Sequence, residues 1–114
     1  MNLVVVGISH KTAPVLVRER FSLSTEGLKD GLQKLRMIES VSGIVILSTC
    51  NRMEIYAKLD DAVSGTRGIT QFLIDTFSMR EEEMKRYFYM LHGSDVVKHI
   101  LNVACGLDSQ ILGE

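Results

Sequence analysis

Four short segments of the chain have the hydrophobic pattern of β-strands. Leu3 to Ile8 and Gly43 to Leu47 are apolar runs, which predict two buried strands. From Met53 to Leu59 apolar and polar side chains alternate, which predicts a half-buried strand with the polar members on its open face. The segment from Tyr87 to Leu91 is aromatic and apolar and predicts a fourth strand.

The segments between these strands carry helix signals. Pro14 suits the first turn of a short helix that runs through Arg20. Ser24 is a suitable N-cap for the next helix, and Asp60-Asp61 can cap a third. Ser78 and Glu81 have the spacing of a capping box, which predicts a further helical turn. A last helix is predicted from Asp95 to Cys105.

The order β-α-β-β-α-β predicts an α+β domain of the ferredoxin-like plan, in which two layers place the helices on one face of the sheet. The final helix is an addition outside that plan. On a helical wheel its apolar side chains form one stripe, which we expect to be buried: Val96, Val97, Ile100, Val103, Ala104 and Leu107. His99 falls at the edge of this stripe, where a histidine is commonly a packed and hydrogen-bonded bystander.

The composition is that of a globular chain. With 114 residues it has the size of one domain, and its 46% apolar content is enough for a core. No segment approaches the ~20 apolar residues of a membrane helix. The first residues lack the features of a signal peptide, so we expect a cytoplasmic protein without membrane contact. The formal net charge is −1, so any contact with RNA has to be local.

Candidate chemistry is concentrated between Ser48 and Arg52, a very short connection that places Cys50 at the tip of a polar turn. A substrate can reach a thiol there, and the cation of Arg52 favours the reactive thiolate. Neither Cys50 nor Cys105 belongs to a CxxC pair or a zinc-like cluster, so we expect no disulfide and no metal. Spacing alone leaves a second interpretation open, a structural hairpin that carries an incidental thiol.

Three blocks of the sequence, in this order, resemble the glutamyl-tRNA reductases: Gly7–Val15 (GISHKTAPV), Leu47–Arg52 (LSTCNR) and Gly106–Glu114 (GLDSQILGE). The resemblance implies that residues 1–114 are the N-terminal catalytic domain of that family. It further implies that Cys50 attacks the ester carbonyl of glutamyl-tRNA and forms a thioester. NADPH then reduces the thioester to glutamate-1-semialdehyde for tetrapyrrole and haem biosynthesis.

The same resemblance assigns roles to individual residues. Cys50 is the nucleophile, and His99 matches a histidine that positions the substrate or transfers a proton. Arg52 holds the glutamate carboxylate, for which a planar guanidinium is well suited. Glu114 receives the α-ammonium group. The remaining contacts to the glutamyl group come from hydrogen-bonding side chains: Thr49, Asn51 and Ser109.

Four further residues are interpreted more conservatively. Met53 stands where the family commonly has threonine, and the strand alternation turns it towards the core, so we interpret it as a packing change. Cys105 lies opposite the apolar stripe and is interpreted as non-catalytic. His10 and Lys11 follow the first strand at the edge of the expected site, where a solvated turn is an equally good interpretation.

The resemblance also implies parts that residues 1–114 do not contain. No GxGxxG occurs, so we expect NADPH to bind a further domain of the full-length enzyme and not this fragment. We expect the homodimer to form through another absent domain, and we interpret the chain as a truncated product. Two other functions stay open: a stand-alone thiol hydrolase or acyl transferase, and a non-catalytic module that binds a regulatory protein or haem.

Overall fold

A computed structural model describes residues 2–108, which form four strands and five helices. In chain order these are β1 (Asn2–Ser9), α1 (Val15–Arg20), α2 (Thr25–Arg36), β2 (Val41–Ser48), β3 (Arg52–Leu59), α3 (Ala62–Phe77), α4 (Glu81–Tyr87), β4 (Tyr89–His92) and α5 (Ser94–Ala104). The four predicted strands are therefore confirmed, but the fourth begins at Tyr89, because Tyr87 belongs to α4. The described helices are too short or too polar to cross a membrane.

The strands form one antiparallel sheet in the order β2-β3-β1-β4. Ser9, the last residue of β1, pairs with Arg52, the first residue of β3. Gly7 pairs with Glu54 on one side and with Tyr89 of β4 on the other. This register brings the end of β1 and the turn between β2 and β3 to the same end of the sheet.

The main core lies between one face of the sheet and the helices α2 and α3. Every second side chain of β1 points into this core, because successive residues of a strand point to opposite faces. These side chains are Val4, Val6 and Ile8. They pack with apolar residues of both helices, including the fully buried Leu35 and Leu73. The predicted layer of helices on a sheet is thus present.

Local capping fixes where the two long helices begin. The hydroxyl of Ser24 accepts a hydrogen bond from the N–H of Gly27 at 3.0 Å, and the carboxylate of Asp61 accepts one from Ser64 at 2.8 Å. Both predicted caps are confirmed, and each satisfies an N–H that the helix leaves without a partner.

The predicted capping box at Ser78 and Glu81 is wrong. Ser78 has a φ of 50° and ends α3 in the left-handed conformation. The N-cap of α4 is Arg80, whose N–H donates to the carboxylate of Glu83 at 3.2 Å. A capping box with the predicted spacing does exist, but it is formed by Arg80 and Glu83, two residues later in the chain than predicted.

Helix α5 covers the second face of the sheet. Val96 packs there with Val5 of β1 and Tyr56 of β3 in a smaller apolar cluster. The predicted two-layer arrangement, with helices on one face of the sheet, is therefore incomplete, because α5 forms a third layer on the opposite face.

The predicted burial of the apolar stripe on α5 is largely wrong. Val96 is 4% exposed, whereas Val97 is 46%, Ile100 43% and Leu107 65% exposed. Val96 is packed against the sheet, whereas the later apolar members of the stripe remain largely accessible.

Candidate active site

The turn between β2 and β3 is built around Thr49. Its N–H donates to the carbonyl of Arg52 at 2.8 Å. Its hydroxyl oxygen accepts from the N–H groups of Asn51 and Arg52, both at 3.2 Å. A threonine that closes a turn in this way satisfies backbone donors that the strand ladder leaves unused.

The end of β1 fixes the position of this turn. The N–H of His10 donates to the carbonyl of Asn51 at 3.1 Å, and Ser9 pairs with Arg52 in the ladder. Ser9 and Asn51 are buried. The blocks Gly7–Val15 and Leu47–Arg52 thus meet in space.

Cys50 is exposed at the tip of the turn, as its sequence position predicts. With the residues from 2 to 108 its thiol forms no hydrogen bond or ion pair. Cys105 is exposed as well, and neither cysteine is bridged to another. Accessibility alone therefore does not distinguish the two thiols.

Arg52 is buried, and its guanidinium binds carboxylate groups. Its Nη2 donates to the carbonyl of Asp108 at 2.7 Å and to the Oδ2 of Asp108 at 3.1 Å. Its Nη1 lies 3.4 Å from the Oε2 of Glu54 as an ion pair, but forms no hydrogen bond with the described residues. Burial alone would lower the pKa of Arg52, but the charge of Glu54 and the hydrogen bond to Asp108 raise it overall. This arginine is therefore a permanent cation with one incompletely used donor.

Glu54 is the centre of a buried polar cluster. The side chain of Glu54 has no exposed surface. The alternation along β3 predicted that Glu54 and Tyr56 lie on an open face. This prediction is wrong, because α5 and the neighbouring strands cover both side chains. The hydroxyl of Tyr56 donates to its carboxylate at 2.8 Å, and the hydroxyl of Tyr89 and the Nε2 of His99 contact the same group. An ionised carboxylate only accepts hydrogen bonds, so all three groups donate to it.

The tyrosines of this cluster stay protonated. Burial raises the pKa of Tyr56 and of Tyr89, and the negative charge of Glu54 raises both further. Both hydroxyls therefore remain donors at any pH at which the protein works.

Gly7 makes room for the cluster. A Cβ atom at this position would lie 2.7 Å from the Cγ of Glu54 and 2.8 Å from the carbonyl oxygen of Met53. Only glycine therefore lets the side chain of Glu54 cross β1 towards Tyr89, which pairs with Gly7 on the opposite side.

His99 reaches Glu54 from α5. Its ring lies beside the rings of Tyr89 and Tyr56, with centroid distances of 5.4 and 6.4 Å. It also lines a cavity of about 200 Å³ together with residues of β1, the turn after β1, β4 and the chain after α5: Ser9, Lys11, Thr12, Tyr89, Leu91 and Asp108. The structure thus links His99 to Arg52 through Glu54, whereas Cys50 is not part of the cavity lining.

Lys11 and Asp108 form the outer side of this cavity. The ammonium group of Lys11 pairs with the carboxylate of Asp108, which also binds Arg52. Burial alone would raise the pKa of Asp108, but the hydrogen bonds from Lys11 and Arg52 lower it overall. Lys11 is therefore half of an ion pair and more than part of a solvated turn.

Sequence reasoning missed four members of the site: Glu54, Tyr56, Tyr89 and Asp108. The spacing of Glu54 and Tyr56 put them on one face of β3, but not on a covered face. Asp108 stands inside the block Gly106–Glu114, where the resemblance singled out other residues. Two of those residues, Ser109 and Glu114, lie outside the described residues. Within residues 2–108 no group of three or more potential ligands is arranged for a metal ion.

An antiparallel sheet that carries an exposed cysteine turn beside a buried carboxylate cluster defines a mixed α/β domain with a cysteine-centred candidate site. A family model described as "Glutamyl-tRNAGlu reductase, N-terminal domain" matches residues 6–114. The chain belongs to this family.

Relatives and a solved structure support the assignment. The chain is 46% identical to a glutamyl-tRNA reductase of Rippkaea orientalis and 44% identical to one of Pelobacter propionicus, in both cases over 100% of its length and over 27% and 26% of theirs. The structure of glutamyl-tRNA reductase from Methanopyrus kandleri matches 98% of the chain with 31% identity and a TM-score of 0.70, and 24% of that protein is covered. The chain thus spans about a quarter of the length of these proteins.

Proposed function

We propose that this chain is the catalytic N-terminal domain of a cytoplasmic, NADPH-dependent glutamyl-tRNA reductase of tetrapyrrole and haem biosynthesis, with Cys50 as its nucleophile. The observation that carries the proposal is the exposed thiol of Cys50 on a turn that Thr49 and the end of β1 hold in place. A thiol fixed in this way can meet a bulky substrate without rearrangement of the core.

The first half of the reaction is an acyl transfer. The thiolate of Cys50 attacks the ester carbonyl of glutamyl-tRNA, and a carbon–sulfur bond forms. The bond from that carbon to the ribose oxygen breaks, and the ribose oxygen takes up the equivalent of the proton that the thiol gave up, so that it leaves as a hydroxyl. The resulting thioester is easier to reduce than a carboxylate.

Conversion of the thioester to glutamate-1-semialdehyde needs a hydride, and in the full-length enzyme this would be the chemistry that NADPH supplies. The described residues do not fit this cofactor, because every strand pair is antiparallel and a dinucleotide site is built on a parallel β-α-β unit with a glycine-rich turn. We therefore assign NADPH, and the contacts of a homodimer, to other parts of the longer enzyme.

Arg52 and His99 recognise the glutamyl group in this proposal. The Nη1 of Arg52 is free to donate to a substrate carboxylate, and the Nη2 becomes available when such a carboxylate replaces Asp108. Glu54 holds the ring of His99 through Nε2, which leaves Nδ1 for the substrate. Thr49 shapes the turn, and Asn51, Ser109 and Glu114 complete the glutamyl contacts.

The finer fold assignment is part of the same proposal. We infer that residues 1–114 are one ferredoxin-like domain with an added helix. The strand order β2-β3-β1-β4 with antiparallel neighbours supports this, because a split β-α-β unit places the third strand between the first and second.

Trapping the acyl-enzyme tests the function. We expect the purified chain, incubated with glutamyl-tRNA and quenched in acid, to carry one glutamyl group on Cys50 by peptide mass spectrometry. Cys105→Ser is the matched control, because it removes the other exposed thiol and should leave the adduct unchanged. Cys50→Ser should abolish it. An adduct on Cys105, or one that survives Cys50→Ser, would disprove the assignment of the nucleophile.

A further inference from the structure

The two oxygens of the Glu54 carboxylate have different partners. The hydroxyl of Tyr89 and the Nε2 of His99 both contact Oε2, and the Nη1 of Arg52 lies 3.4 Å from the same oxygen. The hydroxyl of Tyr56 donates to Oε1 at 2.8 Å. A carboxylate oxygen has two lone pairs, so the donors at Oε2 fix each other's direction. Tyr89 is therefore the tyrosine that shares an acceptor oxygen with the histidine.

The ring of Tyr89 also restricts the imidazole of His99. The two ring centroids lie 5.4 Å apart, and the ring planes are inclined by 58°. Tyr56 is farther away, with 6.4 Å between its centroid and that of His99. Tyr89 and His99 both line the cavity of about 200 Å³, and Tyr56 is not part of its lining. Tyr89 thus contacts the imidazole, the carboxylate that holds the imidazole, and the cavity.

The position of the proton on His99 depends on this arrangement. A neutral imidazole has one N–H, and the partner of one nitrogen determines whether the other is a donor or an acceptor. Because the ionised carboxylate of Glu54 only accepts, it selects the form of His99 with the proton on Nε2, and Nδ1 becomes an acceptor. Burial and the charge of Glu54 raise the pKa of Tyr89, so its hydroxyl stays a donor and does not compete for that proton.

On the basis of the function proposed above, we propose that Tyr89 is a positioning residue of the acyl transfer: it keeps the proton of His99 on Nε2, so that Nδ1 stays an acceptor for the substrate. Its hydroxyl fixes Oε2 of Glu54, and its ring limits rotation of the imidazole. Tyr89 forms no bond to the reacting atoms and acts through His99. Both roles considered for His99, orientation of the substrate and proton transfer, need one nitrogen in a defined protonation state.

The proton on His99 can be located directly by NMR. The 114-residue chain is prepared with isotope-labelled histidine, and the ring nitrogens are observed at a pH at which the imidazole is neutral. His99→Asn identifies the signals of His99, and those of His10 and His92 are internal references. We expect the wild type to hold the proton predominantly on Nε2. Tyr89→Phe, which keeps the ring, should raise the share of the other form roughly tenfold, the effect of about one neutral hydrogen bond. A wild-type His99 with its proton on Nδ1, or an unchanged distribution in Tyr89→Phe, would overturn the proposal.

The rate of Cys50 acylation shows whether the proton position matters for the reaction. The chain is mixed with an excess of glutamyl-tRNA and quenched in acid, and the glutamyl adduct is quantified by mass spectrometry. Tyr89→Phe should lower the maximal rate roughly tenfold and leave the half-saturating concentration of glutamyl-tRNA within about twofold. In the His99→Asn background the same change should have no further effect, because the imidazole through which it acts is gone. An equal loss in both backgrounds would contradict the proposal.

Two other tyrosines provide matched controls. Tyr87→Phe removes a hydroxyl in α4, where the ring packs against the main core, and should leave both measurements unchanged. Tyr56→Phe removes a donor from the same carboxylate, but from Oε1, so it should cost comparable stability in urea and clearly less rate. A rate loss in Tyr56→Phe as large as that in Tyr89→Phe would indicate a general loosening of the cluster and would count against a specific role of Tyr89.

The two measurements also separate this inference from the proposed function. If Cys50 of the wild type takes up no glutamyl group, the function is wrong, and the NMR result still decides whether Tyr89 places the proton. If Cys50 is acylated and Tyr89→Phe changes neither the proton position nor the rate, the nucleophile stands and the inference fails. A moved proton without slower acylation would equally refute the positioning role.

Discussion

Replacing the buried carboxylate of Glu54 should strongly destabilise the domain. Glu54→Gln keeps the shape of the side chain but removes the charge that faces Arg52 at 3.4 Å. It also turns one acceptor oxygen into a donor, opposite the donating groups of Tyr56, Tyr89 and His99. Of its two ion pairs, Arg52 then keeps only the one with Asp108.

The expected cost follows from that geometry. Removing one partner of a buried ion pair costs about 3–5 kcal/mol, and a neutral hydrogen bond contributes only about 0.5–1.5 kcal/mol. Glu54→Gln should therefore lose about 3–5 kcal/mol, and Tyr56→Phe, which removes one donor to the same carboxylate, about 0.5–1.5 kcal/mol. The larger loss is comparable with the whole stability of a domain, about 5–15 kcal/mol.

Urea unfolding followed by circular dichroism measures both variants. Lys58→Gln, on the same face of β3 but exposed, is the control and should stay within about 0.5 kcal/mol of the wild type. Removing Arg52 as well should cost less in the Glu54→Gln background than in the wild type, because Arg52 has already lost its ion pair with Glu54 there. A Glu54→Gln protein within about 1 kcal/mol of the wild type would refute the buried ion cluster.

Three further changes probe the groups that surround this carboxylate. Arg52→Lys should lower kcat/KM for glutamyl-tRNA roughly ten- to hundred-fold, since lysine cannot serve two carboxylates at once; unchanged steady-state kinetics would remove Arg52 from substrate recognition. His99→Asn should fold normally and lose about 10²–10⁴-fold in rate if His99 transfers a proton, and full recovery in His99→Gln, whose longer amide can reach Glu54, would instead indicate positioning. The lowered pKa of Asp108 makes its contribution to stability present above the unfolded pKa of about 3.9 and lost as pH falls through the lower folded pKa. Asp108→Asn should therefore lower the urea midpoint at pH 7 but not well below pH 3, and an equal loss at both would contradict the ion pairs.

Local signals in the sequence were sufficient for the strands and for the two main N-caps. Ser24 and Asp61 bond to residues three positions away, so their role depends on the neighbouring sequence alone. The exposure of Cys50 is local in the same sense, because Thr49 shapes the turn from within it.

The interior of the candidate site could not be read from the sequence, because its contacts join distant segments. Arg52 and Asp108 are 56 positions apart, and Glu54 and His99 are 45 apart. Alternation along β3 predicted an open face for Glu54, which is correct for a sheet with one covered face. Whether a helix covers the other face depends on the path of the chain after β4, and no pattern within β3 carries that information.

The candidate site has an exposed part, the turn that carries Cys50, and a buried part, the cluster around Glu54, and Arg52 belongs to both. The backbone of Arg52 closes the turn that presents Cys50, while its guanidinium belongs to the buried cluster of Glu54. Gly7 permits that cluster by leaving space beside β1 for the side chain of Glu54, so this member of the block Gly7–Val15 contributes space and not a reactive group. Under the proposed function, we therefore expect acylation of Cys50 and recognition of the glutamyl group to respond differently to substitution, although the residues assigned to them, Cys50 and Arg52, are two positions apart.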